Sequence, residues 1–281
     1  MKFTKMQGLG NDYVYINCLE TPIKNASALA KAISDRHFGV GSDGLILICP
    51  SKVADFQMVM YNADGSISEM CGNGIRCVGK FVRDKGLTNK DKISVETGAG
   101  IKYLSFIREN DQTKLISVDM GAPILKAKDI PTEYSGDLVI SQPIEVDGVT
   151  YKTTCVSMGN PHSIVFFDKD FDLKGFDLDR IGAKFESHHM FPRRINAEFA
   201  KIVDDGVIEM RVYERGTGET LACGTGACAT HVAARLNGLT GDKSILRLLG
   251  GELIIEWNGT GNVTMTGPAE FVFEGEYQWQ E

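Results

Sequence analysis

The stretch Tyr61-Asn62-Ala63-Asp64-Gly65-Ser66-Ile67-Ser68-Glu69-Met70-Cys71-Gly72-Asn73-Gly74 returns in altered form as Tyr213-Glu214-Arg215-Gly216-Thr217-Gly218-Glu219-Thr220-Leu221-Ala222-Cys223-Gly224-Thr225-Gly226. In each copy the tyrosine precedes the cysteine by ten residues, and Cys-Gly-x-Gly opens a run with helical patterning. A second match lies upstream, where Gly10-Asn11 and Gly159-Asn160 each precede a strand-like run, with the motif cysteine 60 and 63 residues beyond the asparagine. Repeats of roughly 120–150 residues are too long for a solenoid unit. The chain therefore reads as two similar domains, 1–120 and 121–267, with a final strand within 268–281 returning to the first. Short hinge strands near Met120-Gly121-Ala122-Pro123 and Gly267-Pro268 are expected to join them.

Strands are predicted over residues 12–16, 45–48 and 56–61, where apolar, β-branched and aromatic residues dominate. Further strands are predicted over 138–144, 163–167, 195–203 and 207–213, with hairpin turns at Trp257-Asn258-Gly259 and Gly261-Asn262. A helix is predicted over 26–36, with Asn25 or Ser27 as cap, and another near 178–188. After Cys71, Ile75, Val78, Phe81 and Val82 make one apolar face, while Arg76, Lys80, Arg83 and Lys85 take the other positions before Gly86. The run over 227–236, ended by Asn237-Gly238, is small and apolar on several sides, which predicts a buried helix inside a curved sheet.

The 281 residues suffice for two domains of ordinary size. A net charge of −7 with no basic block argues against nucleic-acid binding. No apolar stretch approaches the roughly 18 residues of a membrane helix, and Met1-Lys2-Phe3-Thr4 leads into strand-like sequence. A cytoplasmic protein is expected, with its seven scattered cysteines as reduced thiols.

Cys71 and Cys223 stand out because a thiol at a helix N-terminus lies beside the positive end of the macrodipole, which favours thiolate. Glycines at 72, 74, 224 and 226 let backbone N–H groups approach a carboxylate and stabilise charge on it as an α-proton leaves. Two such thiols facing one carbon could take a proton from one side and return it on the other. Cys18, Cys49 and Cys155 lie in strand-like runs and Cys77 and Cys228 inside helices, where cysteine packs as a small hydrophobe. Metal binding is disfavoured by the Cys-x5-Cys and Cys-x4-Cys spacings, and no Cys-x-x-Cys redox motif or complete nucleotide loop occurs. Asn62 and Glu214 follow the matched tyrosines, and His162 follows the Gly159-Asn160-Pro161 turn; all are expected in the same cleft. His37, His188 and His189 are read as structural.

Lys5 through Tyr13, Tyr61 through Cys77, Gly159-Asn160-Pro161-His162 and Tyr213 through Cys228 together resemble the diaminopimelate epimerase family. The resemblance implies an α+β fold of two pseudosymmetric domains, each a mixed strand barrel around a central helix, with the active site in the cleft between them. It implies cofactor-independent interconversion of LL- and meso-2,6-diaminopimelate in lysine and peptidoglycan precursor biosynthesis, by a homodimer acting on a small molecule without metal. Cys223 would be the base on the LL isomer and Cys71 the acid. Gly72, Asn73, Gly224 and Thr225 would hold the reacting carboxylate through backbone N–H groups. Asn11, Asn62, Asn160, Asn196, Glu214 and Arg215 would orient the remaining substrate groups, and His162 and Glu214 would tune proton transfer. Gly44 departs from members of the family that carry glutamine there, so that ligand contact is not carried over. The alternatives are a racemase of this fold for another amino acid and a non-catalytic amino-acid-binding or thiol redox-sensing protein.

Overall fold

A computed structural model describes residues 1–279. The chain divides into two units, Met1–Asp119 with the segment from Thr266 onward, and Met120–Met265. In chain order the elements of the first are β1 (Lys2–Gly8), β2 (Asn11–Asn17), α1 (Ala26–Ser34), β3 (Gly44–Cys49), β4 (Phe56–Asn62), β5 (Ile67–Ser68), α2 (Gly72–Asp84), β6 (Lys92–Thr97), β7 (Gly100–Glu109) and β8 (Gln112–Gly121). The second holds β9 (Gln142–Val146), β10 (Val149–Ser157), β11 (Pro161–Phe167), α3 (Leu178–Glu186), β12 (Asn196–Asp204), β13 (Val207–Glu214), β14 (Gly218–Glu219), α4 (Gly224–Leu236), β15 (Lys243–Leu248) and β16 (Gly251–Glu256). β17 (Val263–Gly267) reaches the boundary, and β18 (Glu270–Glu276) belongs to the first unit; the final two residues of the predicted 268–281 strand lie outside the described residues.

The strand pairings repeat. In the first unit β18, β1, β2, β3, β4, β6, β7 and β8 follow one another across the sheet, with β2–β3 and β4–β6 parallel and the rest antiparallel. In the second, β9, β10, β11, β12, β13, β15 and β16 follow in the same way, with β11–β12 and β13–β15 parallel. Parallel neighbours need a crossover. α1 and α3 supply it for the first parallel pair of each unit, and α2 and α4 for the second.

α1 and α3 each bury one face. Ala26, Leu29, Ala30 and Ile33 of α1 recur at i, i+3, i+4 and i+7, and Asn25 caps the helix by accepting the Ala28 N–H at 3.4 Å. Leu178, Ile181 and Phe185 of α3 join Phe199 and Phe191 in the second core, edged by Phe167, Phe171 and Phe176. Each such side chain contributes roughly 1.5–3 kcal/mol when buried.

α2 and α4 are interior. α4 touches β10, β11, β12, β13, β15 and β16, and its Ala227, Cys228, Ala229, Val232, Ala233 and Ala234 are buried. α2 is not the helix with a single apolar face that its sequence predicts, since Arg76 has no exposed surface and Lys80 is 7% exposed, and only toward its end do Arg83 and Lys85 reach water. Arg76 donates to Gly72 O at 3.0 Å, Pro268 O at 3.1 Å and Asn73 Oδ1 at 2.9 Å, while Lys80 pairs with Asp84 at 3.0 Å. A helix wrapped by strands can carry such groups when carbonyls and a carboxylate partner them. A second correction concerns 138–144, where the strand begins only at Gln142 and Leu138 makes an isolated bridge with Lys126. Among the described residues no helix is long and apolar enough to cross a membrane.

Candidate active site

Cys71 and Cys223 occupy equivalent corners. Each is the N-cap of its buried helix in extended backbone, and each Sγ accepts the N–H of the glycine three residues on, Gly74 and Gly226, at 3.4 Å. The first N–H groups of an α-helix have no acceptor within it; Gly72 and Asn73 begin one such helix, and Gly224 and Thr225 the other. A Cβ on Gly74 would lie 2.7 Å from Ile46 Cδ1, and one on Gly226 2.7 Å from Glu198 Oε1. A side chain at either glycine would have to displace the tip of the residue on the strand below.

In the first unit Asn11 opens β2, Asn62 closes β4, and Asn73 is 2% exposed in the first turn of α2. Cys71 Sγ donates to Asn11 Oδ1 at 3.2 Å, and Asn11 Nδ2 donates to Asp43 Oδ2 at 2.9 Å, which also receives the Asp12 N–H at 3.1 Å. A carboxylate only accepts, so Asp43 turns the Asn11 carbonyl toward the thiol. Arg36 bridges Asp12 and Asp43, each at 2.9 Å. Asn62 Nδ2 donates to Ser66 Oγ at 2.9 Å. Gly44 faces Tyr61 O, which a Cβ there would meet at 2.1 Å, so the strand is tightly closed at that point.

In the second unit Asn160 precedes β11, His162 lies on β11, Asn196 opens β12 and Glu214 closes β13. His162 is fully buried, with Nδ1 2.6 Å from Glu198 Oε1 and Nε2 3.1 Å from Asn160 Oδ1. Asn196 donates to Pro161 O at 2.7 Å and accepts the Arg215 N–H at 3.0 Å, so its amide ties two strands to the start of the Arg215 loop. The exposed Arg215 side chain donates to Arg193 O at 3.2 Å. Glu214 accepts the Thr220 hydroxyl, and Thr225 Oγ1 lies 3.5 Å from Cys223 Sγ.

The helix-end argument for an easily ionised Cys223 needs correction. Burial pushes this thiol well above its ordinary value, and the Glu214 and Glu198 carboxylates add to the rise; the Thr225 and Gly226 hydrogen bonds oppose it less strongly. Burial therefore favours the thiol form of Cys223. Cys77 is pushed up to about 11 by burial, and Cys155 to about 12 for the same reason, as inert core cysteines should be.

Two residues absent from the sequence reading belong to these corners. Asp43 sits in the Gly41-Ser42-Asp43-Gly44 turn, and Glu198 is a lone acid in the buried run Asn196-Ala197-Glu198-Phe199-Ala200. A carboxylate between Ala197 and Phe199 in a strand-like run was the available signal for the second. Among the described residues no group of three or more histidine, cysteine, aspartate or glutamate side chains is arranged to hold a metal ion.

The profile of the family described as diaminopimelate epimerase matches residues 3–126 and 154–272, a span that includes both corners. The chain belongs to the diaminopimelate epimerase family. It is 57% identical to the diaminopimelate epimerase of Acetivibrio thermocellus over all of both chains. With that of Methanococcus maripaludis strain C5 it shares 55% identity over 98% of this chain and 99% of the other. A solved phenazine biosynthesis protein of Bacillus anthracis, at 17% identity, superposes with a TM-score of 0.70 over 99% of each chain, a likeness of fold. Family membership agrees with two α+β units built from the same succession of strands and helices.

Proposed function

We propose that this isomerase interconverts LL- and meso-2,6-diaminopimelate by moving the α-proton between Cys223 and Cys71, in the supply of lysine and peptidoglycan precursors. The observation that carries the reading is the duplicated corner, in which each motif cysteine caps a buried helix with its sulfur on the N–H of the glycine three residues on. One inverted carbon needs two proton-transfer groups, and the chain has two of the same kind.

In the LL-to-meso direction the Cys223 thiolate takes the α-proton and the Cys71 thiol gives its proton to the opposite face, leaving Cys223 as thiol and Cys71 as thiolate. The carboxylate beside the carbanion is held by backbone N–H groups of Gly72, Asn73, Gly224 and Thr225, where its growing charge meets preorganised donors. Burial and then the Glu214 charge keep Cys223 protonated; a substrate ammonium brought beside Glu214 offsets the second, so that the thiol gives its proton to solvent water as substrate enters and becomes the base. Asn11, Asn62, Asn160, Asn196 and Arg215 orient the remaining groups, and His162 tunes the transfer. The reaction in this reading needs neither pyridoxal phosphate nor metal, and the enzyme works as a cytoplasmic homodimer.

The test is incubation of the purified chain with LL-diaminopimelate in deuterated water. One deuterium per turnover at the inverted α-carbon, read by mass spectrometry, is expected. Exchange into proline or alanine but not diaminopimelate would move the assignment to another racemase, and no exchange into any amino acid would leave binding or redox sensing.

A further inference from the structure

Glu198 lies on β12 with no exposed surface, its Oε1 2.6 Å from the equally buried His162 Nδ1 and its Oε2 without a hydrogen-bond partner. The point where a Cβ on Gly226 would stand is 2.7 Å from that Oε1 and 3.3 Å from Cys223 Sγ. Carboxylate and sulfur are therefore separated by no more than those two distances together. A half-satisfied buried carboxylate is costly compared with an apolar side chain of similar size.

The first unit shows what fills this place without a carboxylate. Tyr13 pairs with Gly44 and Gly44 with Asn62; in the second unit His162 pairs with Asn196, and Ala197 with Tyr213, the residue before Glu214. With Asn62 matched to Glu214, these registers make Ile46 the counterpart of Glu198, and Tyr13 the counterpart of His162. Ile46 approaches Gly74 as Glu198 approaches Gly226, each at 2.7 Å from the Cβ position. Isoleucine satisfies the packing under the helix turn. The acid and its histidine are an addition at one corner only.

We propose that Glu198 is a positioning residue of the second half-site, holding His162 through Nδ1 so that Nε2 is the ring's working nitrogen and forming with it a buried pair that carries one proton beside Cys223. A carboxylate on one ring nitrogen fixes the orientation and tautomer of the other. Nε2 faces Asn160 Oδ1 at 3.1 Å, at the edge of the buried region. The titratable groups facing Glu198 are His162 from β11, Glu214 from β13, Cys223 from the start of α4 and Cys155 from β10. Burial pushes Glu198 up, and His162 is the main opposing influence.

The kinetic arm of the test rests on the epimerase reading; the spectroscopic arm does not. In Glu198→Gln, kcat is expected to fall roughly tenfold or more with KM changed less than about twofold. The limb of the pH profile that reports the pair's proton should move by about one pH unit or more. Glu198→Asp, which restores the carboxylate, should recover most of the loss. In the wild-type chain with labelled histidine, His162 should show a far-downfield Nδ1 proton that Glu198→Gln lacks. Wild-type kcat with an unshifted profile in Glu198→Gln would overturn the proposal. So would the absence of that resonance from the wild-type spectrum, a result that stands even if the variant does not fold. A wild-type chain that exchanges no α-proton would instead refute the epimerase reading.

Discussion

Replacing Arg76 by methionine tests whether the interior of the first unit depends on a buried cation. The side chain has no exposed surface and donates to Pro268 O, Gly72 O and Asn73 Oδ1 at 3.1, 3.0 and 2.9 Å. Methionine keeps most of the stem's packing and removes all three donors. Gly72 O sits in the first turn of α2, where the helix ladder offers it a second donor, so the main losses are at Pro268 O and Asn73 Oδ1. Each buried acceptor left without its partner costs roughly 1–3 kcal/mol, and removal of the guanidinium's own desolvation returns part of that. The expected loss is about 2–4 kcal/mol, which lowers the melting midpoint of a chain this size by roughly 5–15 °C. Because Nη2 also sets the direction of the Asn73 amide beside the Cys71 corner, kcat/KM should fall at temperatures where the variant is still folded. Calorimetry and steady-state kinetics on the full chain read both effects. A midpoint within about 2 °C of wild type would refute the claim that these bonds contribute net stability.

Cys71→Ala and Cys223→Ala should each abolish epimerisation with the circular dichroism spectrum unchanged; near wild-type turnover in either would break the two-thiol assignment. Cys223 in the ligand-free enzyme should react slowly with iodoacetamide at neutral pH and faster only well above the ordinary thiol range, as peptide mapping would report, since burial and two carboxylates raise it. Its raised value also stabilises the fold below the ordinary thiol value and loses that contribution as pH rises through the folded one. His231, lowered to about 4 by burial, acts in the opposite sense: its contribution is present above about 6.5 and lost as pH falls toward the folded value. His231→Gln should therefore flatten acid unfolding over that window, and an unchanged acid limb would count against this burial cost. A substrate without the distal amino-acid end should lose most of its kcat/KM, because it offers neither an ammonium to Glu214 nor a carboxylate to Arg215; comparable turnover of alanine would contradict that specificity.

The repeat was legible because it is written in residues with few substitutes: a cysteine to cap the helix and glycines where the sheet presses on it. α4 could be read as buried from its small apolar residues, whereas α2 could not. Arg76 and Lys80 mimic a solvent face, and nothing local reveals that Pro268, almost two hundred residues away, turns a carbonyl toward Arg76. Residues 138–144 have strand composition but only Leu138 among the first four pairs, and then singly, because ladder partners are a tertiary matter. The raised value of the Cys223 thiol is hidden from the sequence for a similar reason. The helix end is visible in sequence, but the burial of the thiol and the strand register that brings Glu198 near it are tertiary.

The unlike strand residues beneath the two like helices bear on the enzyme between turnovers. A catalyst cannot move the equilibrium between its two isomers, yet on the two-thiol assignment each passage leaves the proton on the other sulfur, so the free protein exists in two forms. Burial and the nearby Glu214 and Glu198 carboxylates favour the form in which the Cys223 sulfur keeps its hydrogen, on the same assignment the form that accepts the meso isomer. An LL molecule must find or create the rarer form. At high LL concentration the return of the emptied protein to that form becomes a step of its own, uphill in part because Glu198 stands where the other unit has Ile46.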